Sequence, residues 1–302
     1  MTSAPEVSRL TAFAPQPSAA VDEVLAFLAD RPLVVLTGAG VSTDSGIPDY
    51  RGPGSRYADQ PAPLRGSSPP GVMTFQEFAS GEAAQRRYWA RSHLGWSRMK
   101  RAEPNAGHRA LAAIDPELLI TQNVDGLHER AGSRRLVALH GRIADVVCLA
   151  CGEVTPRTRL HERLDLMNPG FGAGRLDLEV RPDGDVVLEE TDGFTIACCE
   201  SCAGPLKPDV VFFGENVPKA RVERCYVAVD ELAGMDGALL VAGSSLAVMS
   251  GFRFARRAAK AGIPVVIVNR GDTRADDLAS YRVGMGTSEF LSALEAARNC
   301  AV

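Results

Sequence analysis

The stretch Leu33-Val34-Val35-Leu36 is apolar at every position and runs straight into Thr37-Gly38-Ala39-Gly40. A strand with no polar face must be covered on both sides, which is the condition of a strand inside a parallel sheet flanked by helices. Pro32 closes the helical spacing of Val21, Val24, Leu25 and Leu28 that precedes it. Short apolar segments recur over 118–122, 136–140, 210–213, 238–242 and 264–269. Helical spacing fills 105–114, 219–232, 251–261 and the stretch from Thr287. Strands alternating with helices predict an α/β fold with a Rossmann-like, mostly parallel sheet.

Two segments break the alternation. From Arg51 to Glu103 a Gly/Pro/Ser-rich loop precedes two helical pieces, one opened by the capping box of Thr74 and Glu77, the other capped by Ser80 and running through Leu94. From Gly141 to Pro208 lie two Cys-x-x-Cys pairs, enclosing an expected hairpin at Asp183-Gly184. The expected organisation is a flexible arm over 1–15 and a Rossmann-like domain assembled from 16–50, 104–140 and 209–302. A loop and helical module over 51–103 and a zinc-binding module over 141–208 pack together as a smaller inserted domain.

At 302 residues the chain can bury roughly three quarters of the surface it exposes when unfolded, so its seven Cys are not needed as staples. An odd count, with four Cys in the pairs Cys148-x-x-Cys151 and Cys199-x-x-Cys202, reads as metal in a reducing compartment. Each pair makes one knuckle, and four thiolates complete a tetrahedral ion with no open position, hence one structural Zn2+. Cys199, not its neighbour Cys198, has the right spacing to Cys202; Cys225 reads as buried filler and Cys300 as a tail thiol. A net charge of −4 argues against a nucleic-acid partner. No apolar run approaches the ~20 residues of a membrane span. The first twenty residues hold Arg9 and Glu6 and no apolar core, so neither a signal nor a transit peptide is expected. Only four of the 33 basic residues are Lys, a bias that suggests a GC-rich genome and a bacterial cytoplasmic location, mitochondrial if the source is eukaryotic.

Gly38-Ala39-Gly40 after a buried strand starts a phosphate-binding turn, in which glycines let backbone N–H groups approach a pyrophosphate. The ordinary dinucleotide fingerprint requires Gly where Thr43 stands and an acidic strand end about twenty residues on, which is missing. A dehydrogenase reading fails on those terms. The residues after the turn are more specific. The run from Gly38 through Ser42, Asp44, Gly46, Ile47, Pro48, Asp49, Tyr50 and Arg51 to Gly52 resembles the signature of the sirtuins, the NAD-dependent protein deacylases. Later segments resemble the same family in order: Thr121-Gln122-Asn123-Val124-Asp125-Gly126-Leu127-His128, Leu139-His140-Gly141, the Cys pairs, Lys207-Pro208-Asp209-Val210-Val211-Phe212-Phe213-Gly214-Glu215, Gly243-Ser244-Ser245-Leu246-Ala247-Val248 and Val268-Asn269. The likeness runs from about Val21 to Leu294, nearly the whole chain, and the stretch Arg87-Tyr88-Trp89-Ala90-Arg91, with Trp96 beyond, looks more like the class II sirtuins.

The resemblance implies NAD as co-substrate. It assigns NAD contacts to Gly38, Ala39, Gly40, Thr43, Asp44, Ile47, Pro48, Asp49, Tyr50 and Arg51, with Asp49 and Arg51 ordering the following loop. Gln122, Asn123 and Val124 line the ribose pocket and Asp125 grips the nicotinamide amide. Gly243, Ser244, Ser245, Asn269, Arg270, Gly271 and Thr287 face the adenosine half. Of five His, only His140 ends a strand beside a glycine, on the rim where α/β sites open. An imidazole there can take a proton from a hydroxyl, and the resemblance supplies the hydroxyl, that of the nicotinamide ribose. His140 and Asn123 are the expected catalytic residues. His93, His108 and His161 read as structural, His128 as a support of its own loop. Val211, Phe212, Gly214 and Glu215 flank the expected acyl-lysine tunnel, on a segment able to offer a strand edge to a peptide.

Tyr88 and Arg91, three apart, share a helical face. The pair resembles the one that succinyl- and glutaryl-preferring members set against an acyl carboxylate, which Arg can hold through two hydrogen bonds. Thr43 stands where many relatives have Ala, so a broader or long-acyl preference is equally open. The expected function is NAD-dependent removal of acyl groups from protein lysines, with release of nicotinamide and transfer of the acyl group to ADP-ribose. Mono-ADP-ribosyl transfer, a lipoamidase-type deacylase and a catalytically idle NAD sensor are the alternatives. The expected partners are acylated lysine side chains of proteins, with no nucleic acid and no membrane.

Overall fold

The computed structural model describes residues 21–50, 52, 71–173, 181, 184–188 and 190–300. The arm expected over 1–15, Arg51, the loop over 53–70 and Asp183 lie outside the described residues. In chain order the helices are α1 (Val21–Ala29), α2 (Phe75–Phe78), α3 (Glu82–Arg101), α4 (Ala106–Ile114), α5 (Leu127–Arg130), α6 (Arg157–Met167), α7 (Lys219–Glu231), α8 (Met249–Lys260) and α9 (Thr287–Cys300). The strands are β1 (Leu33–Thr37), β2 (Leu118–Thr121), β3 (Leu136–Ala138), β4 (Gly141–Cys148), β5 (Val154–Pro156), β6 (Leu206–Val210), β7 (Ala238–Ala242), β8 (Val265–Val268) and β9 (Tyr281–Val283).

Six strands form one parallel sheet in the order β3-β2-β1-β7-β8-β9. The chain builds outward from β1 to β2 and β3, then returns to the other side of β1 for β7, β8 and β9. The order therefore reverses between β1 and β7, and loops leaving the strand ends diverge there to open a crevice. Every residue of β1, β2, β7 and β8 is buried. Val34, Leu36, Ile120, Leu239 and Val241 face one core with Val229 and Phe254. Leu33, Val35, Leu119, Leu240 and Val266 face a second core with Leu28, Leu111 and Phe290. Full burial of a Leu or Val is worth about 1.5–3 kcal/mol. A strand feeding two cores draws on that at every position, which is why its sequence does not alternate.

A second, antiparallel sheet has the order β5-β4-β6. It packs with α2, α3 and α6 around Phe78, Tyr88, Trp89, Leu160, Leu164, Phe194 and Leu206. Trp89 Nε1–H donates to the Leu206 carbonyl at 2.9 Å, tying α3 to β6. The buried Arg157 donates to Ser92 O (2.8 Å) and Ser92 Oγ (2.9 Å), and its guanidinium lies over the Trp96 ring at 4.7 Å. No helix among the described residues is long and apolar enough to cross a membrane.

The structure departs from expectation in three places. The second helix of the inserted segment is capped at Gly81, because the Ser80 hydroxyl donates back to Glu77 O at 2.6 Å and closes α2 instead. That helix continues past Leu94 to Arg101, since Trp96 and Met99 keep the buried face going. The strand expected over 210–213 is β6, shifted toward the amino terminus by its pairing with β4 from Gly141↔Val210 to Cys148↔Leu206.

Candidate functional site

Each strand of the parallel sheet except β9 delivers a loop of interest to the carboxyl-terminal edge. β1 leads into Gly38-Ala39-Gly40, β2 into Gln122-Asn123-Val124-Asp125, β3 into His140, β7 into Gly243-Ser244-Ser245 and β8 into Asn269-Arg270-Gly271. At the β1/β7 switch Gly38 N–H donates to Ala242 O (3.2 Å) and Gly40 N–H to Gly243 O (2.9 Å). A Cβ on Gly40 would lie 2.9 Å from Gly243 Cα, and Gly243 itself has φ +62°. The two turns interlock because neither carries a side chain. Gln122 Nε2–H reaches across to Ser244 Oγ at 2.7 Å. Thr43 Oγ1 (3.0 Å) and Thr287 Oγ1 (3.3 Å) both donate to Gly40 O. Asp49 accepts the Gly52 N–H at 2.7 Å, while Ile47 is buried and Asp44 and Pro48 are exposed. A bare-backbone turn beside amide and hydroxyl side chains at a switch point fits a dinucleotide: close approach for phosphates, polar groups for ribose hydroxyls.

Ser42 joins the β1 and β2 loops. Its hydroxyl donates to Asp125 Oδ2 at 2.7 Å and accepts from Asn123 Nδ2–H at 3.0 Å. Leu127 N–H donates to the other Asp125 oxygen at 2.9 Å. Burial pushes the Asp125 carboxyl above its ordinary value, against these hydrogen bonds. Behind Ser42 stands His108, whose Nε2 lies 3.4 Å from the hydroxyl, and burial lowers this imidazole to about 4. His128 supports the same layer through Thr37 Oγ1 at 3.0 Å from its Nε2.

His140 makes two contacts. Its Nδ1 is 2.8 Å from the Gln122 carbonyl and its Nε2 is 2.8 Å from Ser250 Oγ. A carbonyl only accepts, so Nδ1 carries the proton and Nε2 presents its lone pair to the Ser250 hydroxyl. Burial lowers His140 to about 4; the Gln122 hydrogen bond opposes the shift, and Arg221 and Arg253 add to it. The ring is neutral at pH 7, as a base requires.

Beyond His140, Val211 N–H donates to His140 O (2.8 Å) and Phe75 N–H to Phe213 O (2.9 Å). Glu215 accepts the Phe212 N–H at 2.9 Å and pairs with the buried Lys207 at 3.1 Å. Val211, Phe212, Gly214 and Glu215 thus form a pinned segment beside the histidine. Tyr88 and Arg91 share the inner face of α3, yet the Arg91 guanidinium is committed to the protein. It meets Asp185 at 2.9 Å, the Val186 carbonyl at 2.9 Å and the Gly71 carbonyl at 3.1 Å. Tyr88 packs edge-on to Phe78 and against Phe212, and its hydroxyl accepts from Ser92 Oγ at 3.3 Å. In the structure the buried Arg91 is neutralised by Asp185, which also lies 3.7 Å from Arg181.

Cys148, Cys151, Cys199 and Cys202 bring their sulfurs within 4.8 Å of one another. Cys148 and Cys202 are 3.5 Å apart, Cys151 and Cys199 3.8 Å. Thiolates at about 2.3 Å from a tetrahedral zinc ion stand about 3.8 Å from each other, so the donor set fits a structural Zn2+. The Cys151 N–H, with that of Ala150, draws the Cys148 thiol down to about 6, while the Cys148 and Cys151 sulfurs push Cys202 up to about 12. Cys198 is exposed and outside the cluster, and Cys225 is buried, its thiol pushed up to about 12 by burial.

Ser42 and Ser250 are the contacts that sequence reasoning missed, whereas His108, expected to be structural, supports Ser42 from behind. Ser42 lay inside the matched signature and was open to notice. Ser250, in the first turn of α8, carries no local signal, because its partner stands 110 residues away.

A family model described as the Sir2 family matches residues 38–250, more than half of the chain. An NAD-dependent protein deacetylase 1 of Mycobacterium avium is 51% identical over 280 residues, covering 90% of this chain and 93% of its own. One of the same name from Streptomyces coelicolor is 52% identical over 259 residues, covering 84% and 81%. A solved Sir2 structure with a p53 peptide and NAD+ is similar with a TM-score of 0.66 at 28% identity, covering 90% of this chain and 95% of that one.

Proposed function

Because the chain belongs to the Sir2 family, we propose that it is an NAD-dependent protein deacylase acting on acylated lysine side chains, acetyl-lysine foremost. The observation that carries the site assignment is the meeting of Asn123, Asp125 and a neutral His140 on adjacent strand ends beside the β1/β7 crevice. NAD, when bound, supplies the ribose carbon that accepts the acyl oxygen as nicotinamide leaves. The interlocked turns at Gly38–Gly40 and Gly243–Ser245 hold its phosphates and adenosine half, with Asn269, Arg270, Gly271 and Thr287 on the adenine side. Asp125, already fixed by Ser42 and Leu127, receives the carboxamide, and Asn123 orients the ribose.

His140 is the base. With Nδ1–H engaged by Gln122, Nε2 is the atom that takes a proton from a ribose hydroxyl once Ser250 yields. The pinned segment over 211–215 lines the peptide path, and the apolar Tyr88, Phe78 and Phe212 cluster behind it suits an uncharged acyl chain better than a carboxylate. The Cys cluster holds its zinc with no position open, so the metal is structural.

Nicotinamide release from NAD tests this reading, run across peptides carrying acetyl-, succinyl- and long-chain-acyl-lysine beside the His140→Ala variant. Release that needs an acylated peptide and vanishes in the variant supports deacylation. Release indifferent to the peptide points to ADP-ribosyl transfer, and none with any peptide sinks the enzymatic reading.

A further inference from the structure

Where α3 meets α6, three metal-ligating side chains come together that neither the strand-end site nor the Cys cluster uses. His93 stands on α3, and His161 and Asp165 lie one turn apart on α6 and share a face. His93 Nε2 is 3.2 Å from Asp165 Oδ1, and His161 Nε2 is 4.0 Å from Asp165 Oδ2. The two imidazoles stack with centroids 4.1 Å apart, and one donor atom from each of the three residues fits within 4.8 Å of the others.

The arrangement is poorly satisfied by the protein alone. Among the described residues Asp165 has no Lys or Arg partner within ion-pair distance, in a chain whose acidic groups pair widely with Arg. A carboxylate facing two stacked imidazoles lacks a cation. Donors at about 2.0–2.1 Å from one ion stand about 3.3 Å apart, a spacing His93 Nε2 and Asp165 Oδ1 already show; the His161 ring, whose Nε2 is 4.0 Å from Oδ2, has to tilt out of its stack on His93 to point its lone pair at the same ion. Exposure is graded from His93 (6%) through His161 (20%) to Asp165 (62%), so an ion has a floor of imidazole and an open mouth.

We propose that His93, His161 and Asp165 form a second, exchangeable site for a divalent transition-metal ion. Two imidazoles and one carboxylate favour Zn2+, Co2+ or Ni2+ over Mg2+ and Ca2+. Three protein donors leave coordination positions for water, unlike the closed Cys cluster. Arg157 and Lys100 bring positive charge to the surroundings, which holds the affinity below that of four thiolates. An ion here staples α3, the helix carrying Tyr88 and Arg91, to α6.

The test uses the tag-free chain with its Cys cluster loaded with one zinc. Equilibrium dialysis against Co2+, with elemental analysis of both metals, is expected to give one cobalt per chain in addition to the zinc. The cobalt spectrum should show weak visible bands and no strong thiolate-to-cobalt charge transfer, which separates this site from exchange at the Cys cluster. His161→Gln and, separately, Asp165→Asn keep the zinc and lose cobalt affinity by at least about tenfold, since even outer partners of metal ligands carry that much. Cobalt also raises the thermal midpoint of the wild-type chain and not of the variants. No cobalt beyond exchanged zinc overturns the proposal, as does binding undiminished in both variants.

Discussion

Replacing Ser250 by Ala removes one hydroxyl from the only described contact of His140 Nε2, at 2.8 Å, and leaves the Gln122 contact on Nδ1 in place. A hydroxyl that donates to an imidazole lone pair stabilises the neutral ring and so lowers its basicity. A net hydrogen bond of this kind is worth about 1 kcal/mol. At about 1.4 kcal/mol per pKa unit, its loss should raise the His140 pKa by about 0.7 from a starting point of about 4. Activity is lost as pH falls through the pKa of the base, so the acid limb of kcat/KM should move to higher pH by the same amount. Ser250 is buried in the first turn of α8, where Ala is a good helix former, so the fold should be little changed and a thermal midpoint will confirm it. The assay is the pH profile of deacylation beside the NMR titration of the His140 ring, with Ser250→Thr as the variant that keeps a hydroxyl. Superimposable profiles for wild type and Ser250→Ala would refute the reasoning, and so would an equal displacement in Ser250→Thr.

The same contacts set further outcomes. Asp185→Ala should destabilise the chain by about 3–5 kcal/mol, because it takes the carboxylate from the buried Arg91, and Arg91→Ala by less, because Asp185 keeps Arg181 at 3.7 Å; urea unfolding measures this, and the ratio of succinyl to acetyl turnover in any folded Arg91→Met protein should stay unchanged. Stripping zinc with a chelator, or Cys199→Ser, should unfold the region around Cys148, Phe194 and Leu206, read as lost thermal midpoint and bound zinc, whereas Cys198→Ser should keep both. The fully buried His108 falls from 6.5 to about 4 on folding, so its contribution is complete above pH 6.5 and is withdrawn as pH drops toward 4, by up to about 3 kcal/mol. A urea midpoint that stays flat from pH 7.5 to 4.5 would count against that burial.

What could be read from the chain, and what could not, divides along a physical line. A two-faced strand such as Leu33–Thr37, a turn of bare backbone at Gly38 and Gly40, and a Cys-x-x-Cys knuckle are each specified by a few consecutive residues, so pattern alone reaches them. The parallel order, the placing of His140 on the rim and the sulfur cluster all derive from such local units. Arg91 is different. Its spacing from Tyr88 correctly puts the two on one face of α3, but periodicity says only which residues point together, never what they meet. The face turned out to be the inner one, and the carboxylate that neutralises Arg91 is Asp185, far along the chain and close only after the Cys-bearing segment has folded back. Ser250 shows the same limit, since nothing near it in sequence predicts an imidazole at 2.8 Å. Ser250 sits where α8 meets His140, and Asp185 on the segment that packs against α3. The parallel sheet carries the strand-end site, and under the proposed function the packing of α3 against β6 and Phe212 is what would shape the acyl pocket. Changes in the core of the inserted segment, well away from His140, are therefore the ones expected to alter which acyl group is accepted while leaving nicotinamide chemistry intact.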